Sequence, residues 1–274
     1  MQLAIQCPYF RKAFGYGVPI GALAGLVGLG GGEFRLPVLM HGLGFSAKAA
    51  VPLNLIVSLV TLAFALAIRG HAVSLVVVVP HFPEMAGLVL GGVVSTHYGT
   101  RLVGFLSDER LVRLIAFLLA LLGVLILSEA VFQFRHLEML PTGVAAHLGA
   151  GFIIGLGVGF VSSVLGVAGG ELLIPALMFV FGADIKTAGS ASIMISLVIV
   201  LVGLWRYWRL DAIPKGRGIQ RLTVAMGSGS IIGALLGGLL VAVAPVFLLK
   251  LLLGSVLMAA AVKTIVSLSR EKAS

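Results

Sequence analysis

The sequence predicts an all-α polytopic membrane protein, with about eight transmembrane helices in two duplicated halves that contain interrupted, re-entrant Gly-Pro segments. Three observations predict this fold class. First, 59% of the 274 residues are hydrophobic and only 11% are charged, whereas a soluble domain carries roughly 25% charged residues. Second, the chain has charge-free stretches that are long enough to cross a bilayer. Third, the second half repeats an unusual motif of the first half.

The transmembrane spans are predicted from stretches without Asp, Glu, Lys or Arg, because about 20 apolar residues cover the hydrocarbon core. The last stretch is too long for one crossing and contains Pro245, so we divide it there and continue a final helix to Val262. This count gives eight spans, four on each side of the polar connection 129–141. The charge-free stretches are 13–32, 49–68, 85–100, 114–128, 139–170, 187–205 and 222–249.

An internal repeat defines the domain organisation. A shift of 138 residues aligns residues 28–58 with 166–196 without a gap, and 11 of the 31 positions are identical. A duplication explains this match. The predicted units are a cytoplasmic N-terminal tail (1–13), a first transmembrane repeat (14–128), a connecting loop (129–144), a second transmembrane repeat (145–268) and a C-terminal tail (269–274).

The number of spans per half sets how the halves are related. Four spans per half predict parallel halves, whereas an odd number predicts inverted halves. The eight-span count favours the parallel relation but places Arg101, Arg110 and Arg113 outside, against the usual preference of basic loops for the cytoplasm. Inverted halves stay open as the alternative, with the extra crossing made either by residues 72–83 or by the glycine-proline stretches.

The net charge of +9 does not indicate nucleic acid as a partner, because one loop between spans, with five basic residues against Asp211, holds a net +4, nearly half of the excess. Loops this basic stay in the cytoplasm, so we expect a multi-pass protein whose surroundings are the lipid bilayer and whose termini are both cytoplasmic. The basic residues of this loop are Arg206, Arg209, Lys215, Arg217 and Arg221.

The motif that carries the functional prediction occurs once in each half. It is a glycine cluster, a glutamate and a short apolar stretch with a proline, and glycine and proline both interrupt helices. Paired interrupted helices predict the substrate site of a transporter, because half-helix N-termini present free N–H groups to an anion. The two copies are Gly31-Gly32-Glu33 with Pro37 and Gly169-Gly170-Glu171 with Pro175.

These paired motifs, each followed by an apolar turn ending at Gly44 or Gly182, resemble those of the TauE/SafE sulfite-exporter family of bacterial membrane permeases. The resemblance covers about residues 14 to 266. It implies a secondary transporter of the bacterial inner membrane that exports or moves a small anion, sulfite or an organosulfonate. Glu33 and Arg35 stand where apolar residues are frequent in the family's first motif. The alternative is a permease for another small solute, an organic acid or a cation.

Several residues near the motifs are candidates for handling the substrate. We expect Glu33 and Glu171 to carry a coupling proton, because a carboxylate at membrane depth costs about 3 kcal/mol; the alternative is that they cap the half-helices. Arg35 is predicted either to bind an oxyanion or to pair with Glu33. Lys48 and Lys186 are expected at the cavity mouth, or as ordinary interfacial lysines. The candidate substrate-binding residues are Gly31, Gly32, Arg35, Asn54, Gly169, Gly170, Ser190 and Ser192.

Other classes of function find little support. The six scattered histidines predict no metal site, and no nucleotide-binding motif or cofactor signature is present. An intramembrane enzyme would need the segment Gly189-Ser-Ala-Ser192 to meet His147, so we do not expect an enzyme. Glycine or serine recurs at every fourth position in 87–99 and glycine in 229–237, which predicts close helix packing. A homo-oligomer is compatible with the sequence.

Overall fold

The computed structural model describes residues 7–27, 30–72, 75–132, 143–183, 185–240 and 245–271. Within these residues the chain forms ten α-helices and no strand, together with a π-helical turn at Val38–Gly42 and a 3₁₀ helix at Leu75–His81. The helices are α1 (Cys7–Val27), α2 (Gly32–Pro37), α3 (Ala47–Ala72), α4 (Phe82–Phe105), α5 (Asp108–Phe132), α6 (Val144–Leu165), α7 (Gly170–Phe179), α8 (Ile185–Arg209), α9 (Arg217–Leu240) and α10 (Val246–Glu271).

The helices confirm an all-α membrane protein, but the predicted count of eight spans is not confirmed. Among the described residues, five helices are long and apolar enough to cross a membrane, and α7 is a shorter apolar helix. The crossing segments are Ala47–Ile68, Val78–Phe105, Val144–Leu165, Thr187–Arg209 and Arg217–Leu239.

The predicted domain boundaries can be compared with the helix ends. The first helix begins at Cys7, inside the predicted N-terminal tail, and α5 continues to Phe132, inside the predicted connecting loop. Residues 1–6, 133–142 and 272–274 of the predicted tails and loop lie outside the described residues.

The repeat found in the sequence extends to the secondary structure. The shift of 138 residues carries Ala47 and Asp108, which begin α3 and α5, onto Ile185 and Val246, which begin α8 and α10. In the same way α1, α2 and α4 correspond to α6, α7 and α9. Each half therefore contains five equivalent helices.

The two halves are intertwined through pairs of helices in close contact. Helix α1 of the first half packs along α9 of the second, and α6 of the second packs along α4 of the first. At these contacts backbone meets backbone: a Cβ atom added to Gly155 would lie 2.5 Å from the carbonyl oxygen of Leu88. The close packing predicted from the small residues is confirmed.

Helix directions show how the halves are related. Gly17 contacts Met226 and Gly25 contacts Ala234, so α1 and α9 run parallel. Helices α4 and α6 are parallel for the same reason, because Gly151 lies against the backbone of Glu84 and Gly155 against that of Leu88.

The equivalent helices α5 and α10 run in opposite directions. Gly123 lies against Met258, whereas Leu127, one turn later, lies against Gly254, one turn earlier. Two equivalent helices that pack antiparallel require a two-fold axis perpendicular to them, so the halves are inverted. This result corrects the parallel relation that the eight-span count favoured. The short α2 and α7 supply the extra reversal in each half, and a hydropathy count misses them because they have only 6 and 10 residues.

Candidate functional site

The two glycine motifs meet in the middle of the molecule. Gly31 (φ 68°) and Gly169 (φ 79°) adopt the left-handed conformation at the N-termini of α2 and α7, a backbone region that L side chains rarely enter. A Cβ atom on Gly30 would lie 2.5 Å from the Cβ of Ala168, and one on Gly32 would lie 3.0 Å from the Cα of Val167. The loop of one half thus packs on the loop of the other, which brings both helix N-termini together.

Glu33 and Glu171 lie near each other at this junction. Their exposed fractions are 0% and 2%, and the charge of Glu33 acts on the Glu171 carboxyl group. None of the four carboxyl oxygens has a hydrogen-bond partner in the described part of the chain. The N-caps of α2 and α7 are glycines without a side-chain cap. The structure therefore places the two carboxyl groups as a pair in the interior, between the two halves.

Arg35 is fully buried and fastens α2 to α3. Its Nη1 atom donates to the side-chain oxygens of Asn54 (3.2 Å) and Ser58 (3.0 Å), and its Nη2 atom donates to the carbonyl oxygen of Gly30 (3.2 Å) and to Thr61 Oγ1 (3.4 Å). The terminal amino groups are thus engaged with neutral acceptors, and only Nε has no partner. Arg35 forms no ion pair with Glu33 within 4 Å, although the charge of Glu33 acts on the guanidinium group.

Asn54 also holds the interrupted segment. Its Nδ2 atom donates to the carbonyl oxygen of Gly32 over 2.8 Å, which satisfies a backbone group at the helix interruption. Asn54 is fully buried, so this amide is committed to protein contacts.

The second half offers free hydroxyl groups at the equivalent place. Leu173 stands where Arg35 stands in the first half and cannot donate a hydrogen bond. The hydroxyls of Ser192 and Ser196, equivalent to Asn54 and Ser58, are fully buried without a hydrogen-bond partner. Ser190 is fully buried as well. At the equivalent positions, the hydroxyls without a hydrogen-bond partner are therefore those of Ser192 and Ser196 in α8, whereas Asn54 and Ser58 in α3 are engaged by Arg35.

A cavity of about 770 Å³ opens at one end of the molecule. Lys48, predicted at a cavity mouth, lines it together with Arg101 of α4 and Tyr207 of α8. The Tyr207 hydroxyl donates to the carbonyl oxygen of Ser163 over 2.9 Å, which fixes the ring. Lys186 begins α8 at the opposite end because the halves are inverted, and its side chain lies outside the described residues.

Sequence reasoning missed two groups of polar residues. Arg101 and Arg206 were taken only as loop charges, yet Arg206 is 8% exposed. Glu84, at the start of α4, is 4% exposed, and its Oε1 atom contacts Nδ1 of His81 (3.3 Å) and of His147 (3.1 Å). The signal for both was a charged residue at the end of an apolar span. Within the described residues, no group of His, Cys, Asp or Glu side chains is arranged to hold a metal ion.

The geometry also bears on catalysis. His147 contacts Glu84, while the hydroxyl of Ser192 has no hydrogen-bond partner. The hydroxyl of Ser192, one of the two serines in the segment considered for an intramembrane enzyme, is therefore not paired with His147.

Inverted halves with interrupted helices that meet in the interior define the architecture of a secondary membrane transporter. The comparison with protein families agrees with this class: the model of the family described as Sulfite exporter TauE/SafE matches residues 5–126 and 151–274. The chain belongs to the TauE/SafE sulfite exporter family, a family of membrane transporters, as the resemblance implied. No curated protein and no solved structure matches the chain.

Proposed function

We propose that the protein is a proton-coupled secondary transporter of a small anion, sulfite or an organosulfonate, that works by alternating access between its inverted halves. The observation that carries this proposal is the burial of two unpaired carboxyl groups, Glu33 and Glu171, one from each half, where the two motif loops pack on each other. A group that both halves share is sensitive to any movement between them.

The charges around this pair explain why a proton and an anion would move together. With both carboxyl groups ionised, Glu33, Glu171 and Arg35 carry a net charge of −1, which repels an anion. One proton held between two close carboxyl groups makes the set neutral. The anion then meets the free hydroxyls of Ser192 and Ser196, so its entry is favourable only after protonation.

The location and orientation follow from the basic residues. The cavity walls contain residues of the α2–α3 connection, the end of α4 and the α8–α9 connection, so Arg101 and the basic loop lie at one end. The start of α1 and the end of α10 lie at this same end, because α1 is parallel to α9 and α10 is antiparallel to α5. The positive-inside rule supports a cytoplasmic position for this end and for both termini, and membership of a family of membrane permeases supports the bacterial inner membrane as the location.

The experiment is transport into proteoliposomes, measured in two modes for the wild type and for Glu33→Gln with Glu171→Gln. Glutamine resembles a protonated carboxyl group, so the double variant should retain counterflow of labelled sulfite. It should lose accumulation that is driven by a pH gradient. Glu109→Gln, which changes an exposed glutamate at the end of the α4–α5 turn, is the matched control and should behave like the wild type. Accumulation that survives in the double variant would refute proton coupling by this pair.

A cation is the second candidate substrate, because paired carboxylates attract positive charge. The same counterflow assay with small organic cations and carboxylates as internal loads decides between them. Exchange driven by a cation and not by any sulfur oxyanion would overturn the anion proposal, while the transporter architecture would stand.

A further inference from the structure

A polar cluster lies at the end of the molecule opposite the basic loop. It consists of Glu84 in the first turn of α4, His81 at the end of the 3₁₀ helix and His147 near the start of α6. Arg101 lies near the other end of α4, roughly 25 Å from Glu84 along the helix at 1.5 Å per residue. Because α4 belongs to the first half and α6 to the second, the cluster joins the two halves on this side.

One oxygen of the Glu84 carboxyl group contacts both imidazoles. Nδ1 of His81 lies 3.3 Å from Oε1, and Nδ1 of His147 lies 3.1 Å from the same atom. The other oxygen, Oε2, is buried and has no hydrogen-bond partner in the described part of the chain. The side chain of Glu84 is 5% exposed, whereas those of His81 and His147 are 21% and 29% exposed. Water can therefore reach the imidazoles, while the carboxyl group is shielded.

The chemistry of these three groups favours a proton as the ligand. An ionised carboxyl group only accepts hydrogen bonds, so with Glu84 ionised each Nδ1 atom donates and each Nε2 atom keeps a free lone pair. Histidine is the side chain whose charge ordinarily changes between pH 5 and 8. A proton that adds to Nε2 makes the imidazole positive, and its hydrogen bond to Glu84 then becomes charge-assisted. A nearly buried carboxylate without a positive partner is costly, so the folded protein gains from this uptake.

The surroundings of the cluster add few other charges. In the part of the chain that the structure describes, the titratable groups that face Glu84 are His81 and His147. The connection after α7 contributes an apolar ring, that of Phe181, whose centre lies 6.0 Å from the ring centre of His147. Other ionisable residues of the neighbouring helices lie at the central site or near the basic end, where α4 and α8 end and α5 begins. The charged residues of α5 and α8 whose side chains lie outside the described residues are Glu129 and Lys186.

The cluster occurs in one copy only. The repeat places Ile219 where His81 stands, Leu222 where Glu84 stands and Tyr9 where His147 stands. The duplication therefore does not explain why three ionisable side chains meet at this end.

We propose that Glu84, His81 and His147 form a proton-binding site, in which proton uptake by an imidazole turns its hydrogen bond to Glu84 into an ion pair. Through His147, this ion pair joins the two halves at the end opposite the basic loop. The proposal rests on the proposed function and deepens it, because a proton-coupled transporter then has a second titrating site besides the central carboxyl pair. A more acidic medium on that side of the membrane strengthens the contact of α4 with α6.

The test is unfolding of the purified full-length protein by SDS in mixed micelles, followed by tryptophan fluorescence at pH 8 and at pH 5.5. Glu84→Gln keeps an oxygen that accepts hydrogen bonds but cannot form the ion pair. Protonation adds the ion pair to the folded protein alone, so the wild type should gain stability as the pH falls. Its unfolding equilibrium constant should decrease about fivefold more than that of Glu84→Gln, since hydrogen bonds to charged groups are the stronger ones.

Two further comparisons assign the effect to the cluster. Glu109→Gln, which changes an exposed glutamate that pairs with Arg113, is the matched control and should show the pH dependence of the wild type. His81→Gln with His147→Gln should lose the same pH effect as Glu84→Gln, which keeps the test decisive if Glu84→Gln folds poorly.

The central carboxyl pair also takes up protons, so the comparison is repeated in protein that carries Glu33→Gln and Glu171→Gln. The difference that depends on Glu84 should persist there. An identical pH effect in the wild type, Glu84→Gln and the double histidine variant would overturn the site even if proton-driven transport is intact. A pH effect that requires Glu84 and the histidines would support the site even if no pH gradient drives transport, and the proposed function alone would then fail.

Discussion

Replacement of Arg35 by leucine should strongly destabilise the protein. Arg35 has no exposed surface, and its guanidinium donates to Asn54, Ser58, Thr61 and the carbonyl oxygen of Gly30. Arg35→Leu would leave four buried acceptors without this donor. It would also remove the positive charge beside Glu33.

The expected magnitude follows from these contacts. Each buried acceptor that loses its partner costs about 1 kcal/mol or more, so the four acceptors together give a loss of about 4 kcal/mol. The second half gives a reason why the loss should not be much larger than this. It has Leu173 in place of Arg35 and tolerates two unpaired serine hydroxyls.

The assay is unfolding of the purified protein by SDS in mixed micelles, followed by tryptophan fluorescence. Arg113→Leu, which breaks an exposed ion pair, is the control, with an expected loss below about 1 kcal/mol. Adding Asn54→Leu and Ser58→Ala to Arg35→Leu should recover part of the loss, since these changes remove the orphaned acceptors. A loss below 1 kcal/mol for Arg35→Leu would refute the reasoning, and if anion affinity fell sharply as well, Arg35 would be a substrate ligand instead.

Three further predictions concern packing and topology. Gly155→Ala should destabilise the protein in the same SDS titration, because the added Cβ would lie 2.5 Å from the carbonyl oxygen of Leu88. Gly157→Ala on the same helix is the control: its Cβ would have nothing within 4 Å, so the change should be neutral or slightly stabilising. In a Cys7→Ser background, the double variant Leu127→Cys with Gly254→Cys should form a disulfide on oxidation. The double variant Leu127→Cys with Val262→Cys should not. The reverse pattern on a gel would mean that α5 and α10 are parallel. Glu84→Ala should cost about 1 to 3 kcal/mol in the unfolding titration, because His81 and His147 lose a shared acceptor; a loss no greater than that of Glu109→Ala would contradict this.

The sequence alone predicted the parts of the fold that depend on local pattern. Charge-free stretches identified the helices, and the repeat identified their equivalents. The equivalent residues Gly31 and Gly169 predicted where the two helices are interrupted. A residue in the left-handed conformation before a new helix is usually glycine, so the sequence shows such a position.

The relation between the halves depends on contacts that no local pattern contains. A helix of six residues leaves no hydropathy signal, so α2 was not counted as a reversal. The side-chain partners of Arg35 lie on α3, 19 to 26 residues further along the chain. The sequence spacing therefore does not show whether Arg35 binds these protein groups or a substrate anion. Arg206 lies in a segment whose composition is that of a cytoplasmic loop, but α8 continues to Arg209 and leaves Arg206 only 8% exposed.

The exchange of α1 and α6 between the halves has a consequence for the origin of the chain. A half-length ancestor of five helices would have had no partner for its own first helix, because that helix packs on the fourth helix of the other half. Such an ancestor folds only as an antiparallel dimer of identical chains, with one copy inserted in each orientation. An odd number of passes leaves the end of the first copy on the side where an inverted second copy begins. Tandem fusion of the two genes therefore needed no additional span to fix the orientation.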